Sequence, residues 1–140
     1  MRAEDPVGKE TILLVEDGLG LRLIIQSILQ ELGYQVIAAA NANEALDLWV
    51  SHRNAVDLLL TDLVMPESMS GQQLAQRLRS ERPELKVLYT SGFEIDPDEN
   101  GEEIVPGVNF LKKPFRRDTL IKAVRRSLDS GVGVLSRSAK

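Results

Sequence analysis

The chain has 140 residues, 43% hydrophobic and 27% charged, enough for one domain with its own core and unlike a disordered chain. A formal net charge of -4 argues against nucleic acid as the main partner, and the absence of cysteine excludes disulfides, thiol nucleophiles and thiolate metal sites. No apolar stretch approaches the length of a membrane span, and Met1-Arg2-Ala3-Glu4-Asp5-Pro6 is too acidic and polar for a secretory signal. The expectation is a cytoplasmic protein with no membrane partner.

Strand-like and helix-like patterns alternate along the whole chain. After a tail at 1–9, Thr11–Val15 is a short apolar run read as a first strand. The following helix carries Leu21, Ile24, Ile25, Ile28, Leu29 and Leu32 on one face, with Gly33 as its C-terminal cap. Gln35–Ala39 reads as strand two. Asn41 caps a second helix whose apolar face is Ala42, Ala45, Leu46, Trp49 and Val50. Residues 58–62 form strand three. A helix over 71–82 turns Leu74, Ala75 and Leu78 inward, with Pro83 just beyond its end. Lys86–Ser91 and 109–112 are strands four and five. A last helix spans 118–128, with Leu120, Ile121, Val124 and Leu128 inward. The acidic segment 94–103 reads as a brief helix or a loop, because like charges crowd it, and 130–140 as a frayed tail.

Five parallel strands with helices on both faces make an α/β, doubly wound, three-layer sandwich of the flavodoxin-like kind, with strand order 2-1-3-4-5. One domain over 10–129 is expected.

In such sheets ligands bind at the carboxyl ends of the strands. Glu16 and Asp17 end strand one, Asp62 ends strand three, Ser91 ends strand four and Lys113 follows strand five. Carboxylates gathered at one rim repel unless a cation lies between them. Hard oxygen donors suit Mg²⁺. Beside a metal the Asp62 carboxylate can act as a nucleophile toward phosphorus, with the Lys113 ammonium and the Ser91 hydroxyl as donors to phosphoryl oxygens. Each residue alone has a plainer reading: Asp17 as a helix cap, Lys113 as a solvated charge, Phe110 and Trp49 as core. The single histidine, His52, is read as solvated surface near a helix end, so neither a His-rich metal site nor a Ser-His-Asp triad is expected.

Four pieces carry a family resemblance. They are Leu14-Val15-Glu16-Asp17; Thr61-Asp62-Leu63-Val64-Met65-Pro66 running on to Gly71; Val87-Leu88-Tyr89-Thr90-Ser91-Gly92; and Phe110-Leu111-Lys112-Lys113-Pro114-Phe115. In this order, each at a strand end, they resemble the receiver domain of two-component response regulators. The wording of 83–93 is similar to receivers attached to hybrid sensor kinases. The resemblance implies Asp62 as phosphoacceptor and Asp17 as a direct Mg²⁺ ligand. It implies Glu16 acting through metal-bound water and the Val64 carbonyl completing the metal shell. Ser91 and Lys113 would hold the phosphoryl group, Ser91 and Phe110 would switch together, and the Lys113-Pro114 bond would be cis. The donor would be a phosphohistidine on a histidine kinase or phosphotransfer protein, and the output a protein contact at an unidentified target. Such a domain assists its own phosphorylation and dephosphorylation but is a signalling module, not an enzyme.

Three departures stand out. Gly18 replaces the family's usual polar or acidic residue, the stretch 67–70 is one residue longer than the shortest family loops, and the helix before strand five has weak support. A haloacid-dehalogenase-type phosphatase needs an acid two residues after its nucleophile, where this chain has Val64. A flavodoxin-like cofactor site needs a phosphate loop where Glu16-Asp17-Gly18-Leu19 would repel phosphate. A degenerate receiver that binds partners without phosphorylation is the remaining alternative.

Overall fold

The computed structural model describes residues 5–65, 69–92, 104 and 108–130. The strands are β1 (Thr11–Val15), β2 (Gln35–Ala39), β3 (Val56–Asp62), β4 (Lys86–Ser91) and β5 (Phe110–Lys112). The helices are α1 (Leu19–Glu31), α2 (Ala42–His52), α3 (Gly71–Glu81) and α4 (Arg117–Asp129). All strand pairs are parallel and the order is β2-β1-β3-β4-β5, as the alternation of elements predicts. β3 starts two residues before the expected 58, and β5 starts one residue after the expected 109.

Side-chain alternation along the strands builds two cores. Leu13, Val15, Leu59, Val87 and Tyr89 face α2 and α3, while Ile12, Leu14, Leu58, Leu60 and Leu88 face α1 and α4. Each fully buried Leu or Ile contributes about 1.5–3 kcal/mol over leaving it in water. Because both faces are covered, the strands read as continuous apolar runs, which is how a parallel sheet is recognised.

Two expected core positions are corrected. Ile24 is 57% exposed and Val50 is 64% exposed. The buried stripe of α1 centres on Ile25, Leu29 and Leu32, and that of α2 on Ala42, Ala45 and Trp49. At 100° per residue, Ile24 and Val50 fall outside a stripe about 100° wide. Trp49 is buried as expected, and its indole N–H also donates to Glu81 at 3.0 Å, tying α2 to α3. His52 is half-buried, with Nδ1 2.9 Å from the Leu48 carbonyl of its own helix, rather than free in solvent. The expectations for 94–103 and 131–140 lie outside the described residues.

The starts of α2 and α3 and the end of α1 are capped by side chains or glycine. Asn41 caps α2 by accepting from Glu44 N at 2.9 Å. Gly33 takes φ +106° past the end of α1, where a Cβ would also meet the Gly8 carbonyl. Ser70 and Gln73 form a reciprocal capping box at the start of α3. The segment before β1 is tied to the last helix. Arg125 of α4 donates to both carboxylate oxygens of Glu10 (2.6 and 3.2 Å), to the Val7 carbonyl and to the Tyr34 hydroxyl. Those bonds hold the Glu10 carboxyl below its usual range. Arg117 pairs with the buried carboxylate of Asp5 at 3.1 Å.

Candidate functional site

The parallel register delivers the site residues to one rim. Glu16 lies one step beyond β1, and its amide donates to Ala39 at the end of β2 (3.1 Å). Asp62 is the last residue of β3. The next amide, Leu63 N, donates to Thr90 O of β4 (2.8 Å), and Lys113 N donates to Ser91 O (2.8 Å). Glu16, Asp62 and Lys113 are therefore each tied to the strand beside them.

Among the described residues the rim gathers Glu16, Asp17 and Asp62, each with one carboxylate oxygen within 4.8 Å of the others'. Glu16 and Asp62 are buried, and Asp17 is exposed. Lys113 Nζ sits between the two buried acids, 2.8 Å from Glu16 Oε1 and 2.9 Å from Asp62 Oδ2. Burial alone would lower the Lys113 pKa. The hydrogen bond to Asp62, then the close ion pair with Glu16, outweigh it, so the pKa is raised above the usual lysine value. Val64 is exposed at 56%, and its backbone N–H donates to Asp62 Oδ1 at 3.2 Å. The two oxygens of Asp62 thus face different partners.

A divalent cation fits this gap. The donors are hard carboxylate oxygens from two strand ends. Glu16 Oε1, although buried, has only the ion pair with Lys113, at an angle that makes no hydrogen bond. Asp17 does not cap α1. The N-cap is Gly18, which has no side chain to offer, so Asp17 remains turned to the rim cluster.

Ser91 ends β4, is 2% exposed, and lies in register with Lys112 of β5. Phe110 opens β5 opposite Tyr89 and is buried in the core shared by Met65, Tyr89 and Ile104. The Lys113-Pro114 peptide is cis. Lys112, the neighbour of Lys113, is exposed.

Two supporting residues were not singled out for these roles from the sequence. Arg22, one turn into α1, donates from Nη1 to the Glu16 carbonyl at 2.8 Å. Gly71 presses the start of α3 against β3. Its amide donates to Leu63 O at 2.9 Å, and a Cβ there would land on the Asp62 carbonyl oxygen and lie 3.1 Å from Leu63 Cα. The spacing of an arginine four residues after Gly18, and of a glycine nine after Asp62, is the sequence signal for both. Gly71→Ala is expected to cost about 2–3 kcal/mol, because rigid backbone rather than a flexible side chain must give way. Urea unfolding midpoints measure this, and an unchanged midpoint would contradict the close approach.

Comparison with known proteins agrees with this geometry. Residues 12–125 match the family model for the response regulator receiver domain. The chain is 35% identical over 128 residues to the sensor kinase CckA of Brucella abortus (strain 2308), covering 91% of this chain but only 13% of that protein. It is 31% identical over 120 residues to sporulation initiation phosphotransferase F of Bacillus subtilis (strain 168), covering 85% of this chain and 94% of the relative. Among solved structures, the receiver domain of the hybrid histidine kinase CckA superposes with a TM-score of 0.71 at 32% identity, covering 85% of this chain and 99% of that one. The chemotaxis protein CheY4 of Vibrio cholerae superposes with a TM-score of 0.75 at 27% identity, covering 86% and 100%. With its acidic rim cluster, of the kind typical of the Mg²⁺ site in such domains, this chain belongs to the response regulator receiver domain family.

Proposed function

We propose that this domain accepts a phosphoryl group on the Asp62 carboxylate, with Mg²⁺ held by Glu16, Asp17, Asp62 and the backbone carbonyl of Val64. The observation that carries the reading is Lys113 Nζ lying within 2.9 Å of both buried acids, at a rim where three carboxylates converge. An ammonium that already faces the Asp62 carboxylate is placed to hold a phosphoryl oxygen bonded to that carboxylate. The donor is a phosphohistidine on a histidine kinase or phosphotransfer partner. Relatives named as a sensor kinase and a phosphotransferase support that class of partner.

In the forward step an Asp62 oxygen attacks phosphorus, the P–N bond to the imidazole breaks, and the imidazole leaves with the electron pair. Hydrolysis reverses the capture: water attacks phosphorus, the P–O bond to Asp62 breaks, and inorganic phosphate and free carboxylate result. Mg²⁺, when bound, supplies charge neutralisation for the acids and for the incoming phosphoryl oxygens. Lys113 holds phosphoryl charge, and Ser91, at the end of the neighbouring strand, donates its hydroxyl. The added negative charge then biases Ser91 and Phe110 together, and β5 carries the change to a protein-binding face.

The test is intact mass measurement after incubation with Mg²⁺ and acetyl phosphate, followed by borohydride reduction, which converts an aspartyl phosphate to homoserine. We expect a single added phosphoryl group, homoserine at position 62, and no addition in the presence of a chelator. A phosphoryl group mapped to another residue would overturn the assignment. No addition under any condition would point to a receiver that works by binding alone.

A further inference from the structure

The acidic turn at the end of β1 is built without the support a helix start ordinarily has. Gly18 is the N-cap of α1 but offers no side chain, and no acid stands in the first helical turn. Instead Glu16 folds back, its Oε2 accepting from Gly18 N at 2.9 Å. A Cβ at position 18 would lie 3.1 Å from that same oxygen, tighter than an ordinary contact, so glycine leaves the Glu16 carboxylate room to do this. The carbonyl of Glu16 accepts from Arg22 Nη1 at 2.8 Å. Arg22 is in turn held on α1 by its own amide, which donates to Gly18 O at 2.8 Å. Glu16 is thus held at its backbone N–H by Ala39, at its carboxylate by Gly18 and Lys113, and at its carbonyl by Arg22.

We propose that Arg22 is a positioning residue for the acidic site: by holding the Glu16 carbonyl, its guanidinium fixes the Glu16-Asp17 turn so that both carboxylates face Asp62. The inference rests on the Mg²⁺ site proposed above. The direction of the Glu16 carbonyl is set by ψ of Glu16, so holding it fixes the direction in which the chain carries Asp17 away from Glu16. A planar guanidinium on a helix turn is a stiffer anchor than a solvated carbonyl. Groups that orient metal ligands without touching the metal govern affinity strongly.

The sign of the effect separates positioning from charge. Arg22 is a cation one helical turn from the acids, so by Coulomb's law alone its removal should tighten binding of a second cation. Positioning demands the opposite. The experiment titrates Mg²⁺ into the full chain and follows the Gly18 amide by NMR, in wild type, in R22Q and in S27G. Ser27 is exposed on the same helix, and glycine there loosens α1 away from the turn. We expect R22Q to bind Mg²⁺ about tenfold more weakly than wild type, with S27G unchanged. Binding by R22Q that equals or exceeds wild type overturns the proposal, as does equal weakening in S27G. Failure of the wild type itself to bind Mg²⁺ overturns the site reading as well, so the two failures are distinguishable.

Discussion

Asp62→Asn is expected to take up no phosphoryl group from acetyl phosphate under conditions that label the wild type fully. The substitution is nearly isosteric, and the amide oxygen can still accept from Val64 N, which lies 3.2 Å from Asp62 Oδ1. What disappears is the anionic oxygen that attacks phosphorus. A neutral carboxamide is a poor nucleophile, and with one carboxylate fewer the rim also holds a divalent ion less well. The fold should survive. Lys113 keeps Glu16 as a partner at 2.8 Å, and the repulsion among three convergent acids is eased. The unfolding midpoint should therefore change little, because the loss of the Lys113–Asp62 pair is offset by the eased repulsion among the acids. The paired measurement matters: loss of labelling with loss of folding would say nothing about the acceptor. Labelling that persists in folded Asp62→Asn would place the nucleophile elsewhere.

The rim could be anticipated from sequence because each of its residues sits at a strand end, and strand ends in a parallel sheet are marked by an abrupt change of chemistry. Leu14-Val15 breaks into Glu16-Asp17, Leu60-Thr61 into Asp62, and Phe110-Leu111 into two lysines before a proline. The strand order follows from the same alternation of elements and the handedness of crossovers. Helix faces were less legible. Ile24 and Val50 have the right chemistry for a core, and only the actual direction from which the sheet approaches each helix leaves them exposed. Arg22 and Gly71 were hidden for a different reason. Their contribution passes through backbone carbonyls, of Glu16 and Asp62, and a pattern of side chains carries no mark of where a carbonyl points. Choosing between the adjacent Lys112 and Lys113 was within reach, since Lys113 directly precedes Pro114 as the receiver resemblance requires, and it is Lys113 that meets the acids.

That choice has a measurable consequence. Lys113→Met keeps most of the side-chain volume but removes the ammonium from between Glu16 and Asp62, both nearly buried. Uncompensated buried carboxylates are costly. Stripping one partner from a sealed pair costs about 3–5 kcal/mol. The Lys113 side chain is 21% exposed, so water softens the loss here, and about 2–3 kcal/mol is expected at neutral pH without metal. Added Mg²⁺ should restore part of it by supplying positive charge in the same gap. Labelling by acetyl phosphate should slow by about a hundredfold, the scale of losing one preorganised charge at a phosphoryl group. Lys112→Met, on the exposed neighbour, should change neither. The pH dependence follows from the raised Lys113 pKa: the folded state holds this proton more tightly than the unfolded state does. Its stabilisation is complete below the usual lysine value near 10.5 and is lost as pH rises through the elevated value. Urea midpoints of wild type and Lys113→Met should therefore differ most at neutral pH and converge above that range. A gap that stays constant to high pH would mean the lysine stabilises the site by packing, not by charge.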